Sequence, residues 1–146
     1  MSQTFQLGMN AKIYQGPAGT ALELLTEMSN VRDVTLTLEA GEADVTTRGN
    51  SGWRATAATL REATCEFEML WNPGDAGFEA VRTAFLASSQ IALCPLTDDR
   101  DTADAEGPRG DWSITGFTRN EPLEEGITVN VTAKLARFDE WVQVAA

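Results

Sequence analysis

The sequence predicts a mainly β protein, an antiparallel β-sandwich or barrel with one flanking α-helix, on three observations. Residues 31–39 place Val34, Leu36 and Leu38 on one side and Asp33, Thr35, Thr37 and Glu39 on the other, the period-two alternation of a half-buried strand. Residues 62–71 repeat the pattern, with Ala63, Cys65, Phe67 and Met69 inward and Glu62, Thr64, Glu66 and Glu68 outward. Helical spacing belongs to one segment only: Phe78, Val81 and Phe85 recur, with Ala84 and Leu86 alongside, after an Asp75 that can cap the helix and before a Ser88–Ser89 pair that frays it.

The remaining segments fit short strands. Lys12, Ile13 and Tyr14 precede a turn at residues 15–19 that holds Gly16, Pro17 and Gly19. Residues 21–28 suit a short helix or a strand, because Leu22, Leu24 and Leu25 fit both, and the strand is preferred. Residues 91–96 form a short apolar strand that Pro95 pushes towards a sheet edge. Residues 111–118 and 126–138 make a last pair turned by residues 119–125, with Ile127, Val129, Val131, Ala133 and Leu135 on one face and Gly116 as a β-bulge. Two segments lack periodicity. Residues 41–59 hold Gly49, Asn50, Ser51 and Gly52 and one large aromatic, Trp53, and so long a structureless connection in a compact domain has a job or is disordered. Residues 98–111, with Asp98, Asp99, Asp101, Asp104, Glu106 and Asp111, read as an acidic, mobile surface loop.

A chain of 146 residues fits a single domain spanning 1–146. Its 11 Lys and Arg against 22 Asp and Glu give a net charge of -11, which disfavours binding to phosphate backbones. Apolar residues at 42% exclude a disordered acidic chain, and no apolar run approaches the roughly 18 residues of a membrane span. The absence of histidine removes the commonest general base and metal ligand, and Cys65 and Cys94 lack the spacing of a zinc site. The first six residues have no secretory signal character, so synthesis and folding are expected in the cytosol, with reduced thiols.

No constellation carries catalysis. Glu66 with Glu68, or Glu124 with Glu125, offers paired carboxylates, but residues two apart on an exposed strand stand roughly 7 Å apart in water, too solvated for a raised-pKa acid. Residues 98–106 lack the EF-hand spacing, residues 16–20 lack the lysine of a phosphate loop, and serines without histidine form no ordinary triad. No catalytic, cofactor or metal residue is therefore assigned. Trp53 beside Arg54 suits two roles, a loop anchor against its own core or an anchor for another subunit, since Trp and Arg are enriched at interface hot spots.

The runs Val31-Arg32-Asp33-Val34-Thr35-Leu36, Glu42-Ala43-Asp44-Val45-Thr46-Thr47-Arg48 and Gly52-Trp53-Arg54, the strand at 63–70, the helix after Asn72-Pro73, and Asn120-Glu121-Pro122-Leu123 with the final strand resemble the major tail tube proteins of long-tailed phages. Gene-transfer-agent tails and type VI secretion tubes share that general fold. The resemblance covers nearly the whole chain. It implies a tail-tube-like domain whose copies join into hexameric rings, stacked as a tube that conducts DNA from capsid to host. It also implies a virion-tail location after assembly in the host cytoplasm, and tail terminator, tape measure and baseplate proteins as partners. The family's long loop, mobile in the monomer and docked on neighbours, falls here on Asp44, Val45, Thr46, Thr47, Arg48, Trp53 and Arg54. The acidic segment at 98–111 is outside the shared motif.

The charge pattern suits such a conduit, because a wall that must release DNA should repel phosphate. The outward residues Thr35, Thr37, Glu39, Glu62, Thr64, Glu66 and Glu68 are the candidate lining. An alternative is a β-sandwich binding module, such as a virion protein recognising carbohydrate by stacking sugars on Trp53 and Trp112. A carboxylate hydrolase built on Glu66 is the third.

Overall fold

The computed structural model describes residues 7–145; the expectation about residues 1–6 lies outside them. The strands are β1 (Lys12–Pro17), β2 (Thr26–Glu27), β3 (Val31–Asp44), β4 (Thr56–Leu70), β5 (Gln90–Leu96), β6 (Glu106–Asn120) and β7 (Thr128–Gln143), with α1 (Ala76–Leu86) between β4 and β5. All pair antiparallel, in one sheet of order β2-β1-β5-β6-β7-β4-β3. The mainly β, antiparallel architecture with a single flanking helix is the one that the alternation predicts. The halves of the sheet are joined through β6 and β7, whose register shifts at Arg109/Gly110, Asp111/Trp112 and Ile114/Gly116 bend it; the last is the bulge expected at Gly116.

Asp75 caps α1 by accepting a 2.9 Å hydrogen bond from the Phe78 N–H. The helix does not fray at its other end: Ser88 adopts φ 54, and the N–H groups of Ser88 and Ser89 close on the carbonyls of Phe85 and Ala84. Phe78, Val81 and Ala84 are buried against the inward face of the sheet, where Cys65, Phe67, Met69, Val129, Val131, Ala133 and Trp112 meet them. A second cluster, Tyr14, Leu25, Ala92, Cys94, Leu96 and Val142, covers the opposite face of β1 and β5.

Strand β5 is therefore buried on both faces and paired on both sides, not placed at an edge. Its ladder with β6 runs only from Gln90 to Leu93, so Pro95 removes no bond from that pair. Two other expectations change. Residues 21–28 divide into a 3₁₀ turn at Leu22–Leu24 and the two-residue β2, because Arg100 donates to the carbonyls of Leu22 and Leu25 and holds the turn. Val34 and Leu38 face inward as predicted, opposite Phe67 and Ala63, yet remain exposed, because α1 packs across β6, β5 and β1, while of β3 the half-buried Val31 and Leu36 reach the core cluster.

The acidic segment is not a free loop. Residues 106–111 belong to β6, and Asp111 is buried, accepting hydrogen bonds from the Gly19 N–H at 2.8 Å and from Arg137 at 3.2 Å. In the turn before β6, Arg100 lies over the Tyr14 ring, and Asp99 pairs with Lys12 at 3.5 Å. Partners 26 to 92 residues away in sequence, which composition cannot reveal, hold the segment down.

Cys65 and Cys94 are both free and buried, and burial pushes each thiol up to about 12. A raised thiol pKa costs the native state stability only where the unfolded thiol ionises, so stability is unaffected by these groups below about pH 9 and falls as pH rises towards 12. Iodoacetamide at pH 8 should label neither cysteine of the native protein and both in denaturant, read by intact mass.

Candidate functional site

Past Thr64 the sheet forks. β4 pairs with β7 only over residues 64–70, whereas β3 and β4 stay paired as far as Asp44 opposite Thr56, and β6 and β7 as far as Glu106 opposite Gln143. The expected long loop at 41–59 thus begins and ends as a two-stranded arm, with Glu42, Ala43 and Asp44 opposite Ala58, Ala57 and Thr56, and leaves 45–55 as its tip. On the other branch, Gly107 and Gly110 lie where a Cβ would strike the carbonyls of Pro95 and Arg137, so glycine permits β6 to pack this closely against β5 and β7.

The arm ends in an ordered tip rather than a loose loop. Val45 N–H donates to Ala55 at 3.0 Å, Ala55 N–H to the Thr46 hydroxyl at 2.9 Å, and Trp53 N–H to Asn50 at 3.0 Å. Consecutive left-handed residues, Ser51 (φ 53) and Gly52 (φ 83), make the reversal. Asp44 accepts from the Thr46 N–H at 2.9 Å, and hydrogen bonding to Thr46 holds its carboxyl below the usual range. Six of the seven predicted loop residues, all but Val45, line one open concavity of about 580 Å³ with Gly52. Trp53 is 76% exposed, so it does not anchor the tip to its own core. Arg48 and Arg54 have no carboxylate partner among the described residues.

The seven outward residues of β3 and β4 also share one face, turned away from α1. Thr35 lies opposite Glu66, Thr37 opposite Thr64 and Glu39 opposite Glu62, while β7 adds Thr132, Lys134 and Asn130 beside Glu66, Thr64 and Glu68. These three β7 residues were legible in the sequence as the complement of Val129, Val131 and Ala133. The face is acidic but not uniformly so: Arg32 pairs with Glu68 at 3.3 Å, and Lys134 stands in the same row as Thr37 and Thr64.

This polar face lies between two open edges. Among the described residues, β3 pairs only with β4 along its length, and β6 over residues 114–120 pairs only with β7, since its ladder with β5 stops at Ser113. The paired tryptophans of a sugar site do not exist here: Trp112 is fully buried and donates its indole N–H to the Leu93 carbonyl at 3.0 Å. Glu66 is exposed on the open face, and Glu124 and Glu125 lie in an exposed turn. Because the Asp44 carboxyl is lowered, its link to Thr46 is fully made above the usual carboxylate pKa and is lost only as pH falls below it. Asp44→Ala should accelerate amide exchange at Thr46 about tenfold at pH 7 while leaving the melting temperature within about 1 °C, as expected of a local opening.

The model of the family described as "Phage tail tube protein" matches residues 12–136. No curated protein matches the chain. Among solved structures, the tail of an empty gene transfer agent particle, refined with C6 symmetry, is similar at TM-score 0.75 and 18% identity, covering 97% of this chain and 100% of that one. The SPP1 tail tube is similar at TM-score 0.71 and 14% identity, covering 97% and 80%. The baseplate of the anti-feeding prophage gives TM-score 0.61 at 7% identity, covering 99% and 98%. With the family model spanning most of its length and the same fold in these tails, the chain belongs to the phage tail tube proteins.

Proposed function

We propose that this tail tube subunit assembles by joining the open edge of β3 to the β6 edge of a neighbouring copy, closing a ring whose bore is lined by the polar face between them. The observation that carries this reading is the pair of free edges flanking a face that neither α1 nor either apolar cluster covers. Backbone groups left unpaired in one copy are paired in the ring, and a head-to-tail ring has no spare edge. Six copies per ring follows the C6 symmetry of the gene transfer agent tail. Rings then stack as the tube of a virion tail, with tail terminator, tape measure and baseplate proteins as partners.

The bore would carry Thr35, Thr37, Thr64, Glu66 and Glu68, with Glu39 and Glu62 at the end where the sheet forks. At a screening length of about 8 Å in physiological salt, carboxylates on a narrow wall repel a passing duplex, and threonines offer no lasting hold on phosphate. Such a wall conducts DNA without binding it. The arm residues Asp44, Val45, Thr46, Thr47, Arg48, Trp53 and Arg54 would contact other copies, with exposed Trp53 as the apolar anchor.

Electron microscopy of the purified protein at increasing concentration should show hollow tubes; a strictly monomeric protein, alone and beside its tail partners, would defeat the proposal. Trp53→Ala should raise the concentration needed for assembly about thirtyfold, equivalent to about 2 kcal/mol for an interface anchor, while the monomer melting temperature stays put. In reconstituted particles, Glu66→Lys with Glu68→Lys should leave tubes intact and slow DNA ejection. Unchanged ejection would remove both residues from the bore.

A further inference from the structure

The fork leaves a groove of about 740 Å³ at the base of the arm. Leu38 and Leu60 on the arm side face Pro108, Leu135, Phe138 and Trp141 on the β6–β7 side. Several of these are open to water: Leu60 is 87% exposed, and Leu38 and Phe138 are 54% exposed. At its rim stand Glu39 and Glu62, directly opposite each other in the β3–β4 ladder. Like charges in that relation are destabilising, and neither carboxylate has a cationic partner among the described residues. An apolar groove with uncompensated carboxylates asks for a ligand that is apolar and cationic at once.

The arm tip has that composition: an exposed indole, Trp53, between Arg48 and Arg54, both without counter-ions. It cannot enter the groove at its own base. Six residues of strand separate Leu38 from Asp44, about 20 Å at the strand rise, and the β3–β4 ladder stays paired on both sides of its register shift between Ala40 and Glu42. We infer that the groove between the arm and the β6–β7 branch receives the arm tip of a second copy, Trp53 entering among Leu38, Leu60, Phe138 and Trp141 while Arg48 and Arg54 meet Glu39 and Glu62. The contact is head-to-tail, so every copy gives a tip and takes one, and it propagates. The inference rests on the tube reading and alters it at one point: Glu39 and Glu62 leave the bore lining for an interface. Arg61, which also lines the groove without a carboxylate partner, is left on its arm-side wall.

Charge exchange tests this. Glu39→Lys with Glu62→Lys, and separately Arg48→Glu with Arg54→Glu, should each raise the concentration needed for assembly at least tenfold. All four substitutions in one chain should return it to within about threefold of wild type, because the reversed tip then meets a reversed groove. Each chain is first confirmed as folded by its melting curve. Either pair assembling normally, or a folded fourfold variant that fails to recover, overturns the inference while wild-type tubes keep the tube reading. A second measurement needs no tubes. Ser51→Cys in one tagged chain and Ala40→Cys in another supply accessible thiols, since Cys65 and Cys94 are buried. Mild oxidation should join tip to groove at least tenfold over tip to tip or groove to groove. That enrichment without tubes supports the docking site and counts against the tube; no enrichment refutes the docking site.

Discussion

The organisation of the molecule turns on backbone groups that the described residues leave unpaired along two edges of the sheet. At one end of the sheet the chain protects itself: β2 is two residues long, and the turns on either side leave little edge to pair. At the other end β3 presents fourteen residues with no proline and no lysine, interrupted only by register shifts near Val31 and Ala40. Natural sheets ordinarily blunt such an edge. Here the long edge is matched by a second one on β6 where β5 has ended, and the two lie on either side of the same polar face. Protecting one edge and exposing a complementary pair is what a subunit needs if its sheet is to continue from copy to copy and stop nowhere else.

Burial follows the same division. Around β5 both faces are covered, by α1 and its cluster on one side and by Tyr14, Leu25, Leu96 and Val142 on the other, which makes this half a conventional core. Across β3 and the arm neither face is fully covered, so apolar Val34, Leu38 and Leu60 stand in water beside Glu39 and Glu62. The rigid half supplies stability. The open half spends little of it, because its ladder is satisfied within the hairpin and its tip is tied by Asp44, Thr46 and Ala55.

The parts of this fold legible in the sequence are those determined by local periodicity. Cys65, Phe67 and Met69 lie inside, Asp75 caps α1, and Gly116 bulges, because each depends on neighbours within a few residues. The arm was hidden for the opposite reason: a ribbon wet on both sides has no alternation to read, and Glu42, Ala43, Ala57 and Ala58 pair through backbone alone. Alternation also gives the side on which Val34 and Leu38 lie but not whether anything covers that side. Six of the seven candidate arm residues, all but Val45, line one concavity, and the candidate residues of the polar face lie on one side of the sheet; the fork that divides Glu39 and Glu62 from Glu66 and Glu68 depends on where β7 leaves β4, which no local signal marks. Asp111 was read as solvated because its segment is acidic, yet its role is set by Gly19 and Arg137, distant in the chain.

Charge settles how such open copies meet. Each carries a net -11, so bodies repel one another, but only across the roughly 8 to 10 Å that salt leaves unscreened. Hydrogen bonds between edges and apolar contacts act at much shorter range, so repulsion limits how often copies meet and in which orientation, and these short-range contacts must outweigh what remains of it once copies touch. The arm tip is the exception to the acidic surface, with two unpaired arginines against Asp44, whose carboxylate is engaged with Thr46. Tip against tip and body against body are both disfavoured; tip against body is not. In the proposed ring, electrostatics would select the head-to-tail approach, and the edges, which carry no such directional charge, would supply the adhesion after the orientation is fixed. A chain with the same edges and a neutral surface would stick in any register it found first.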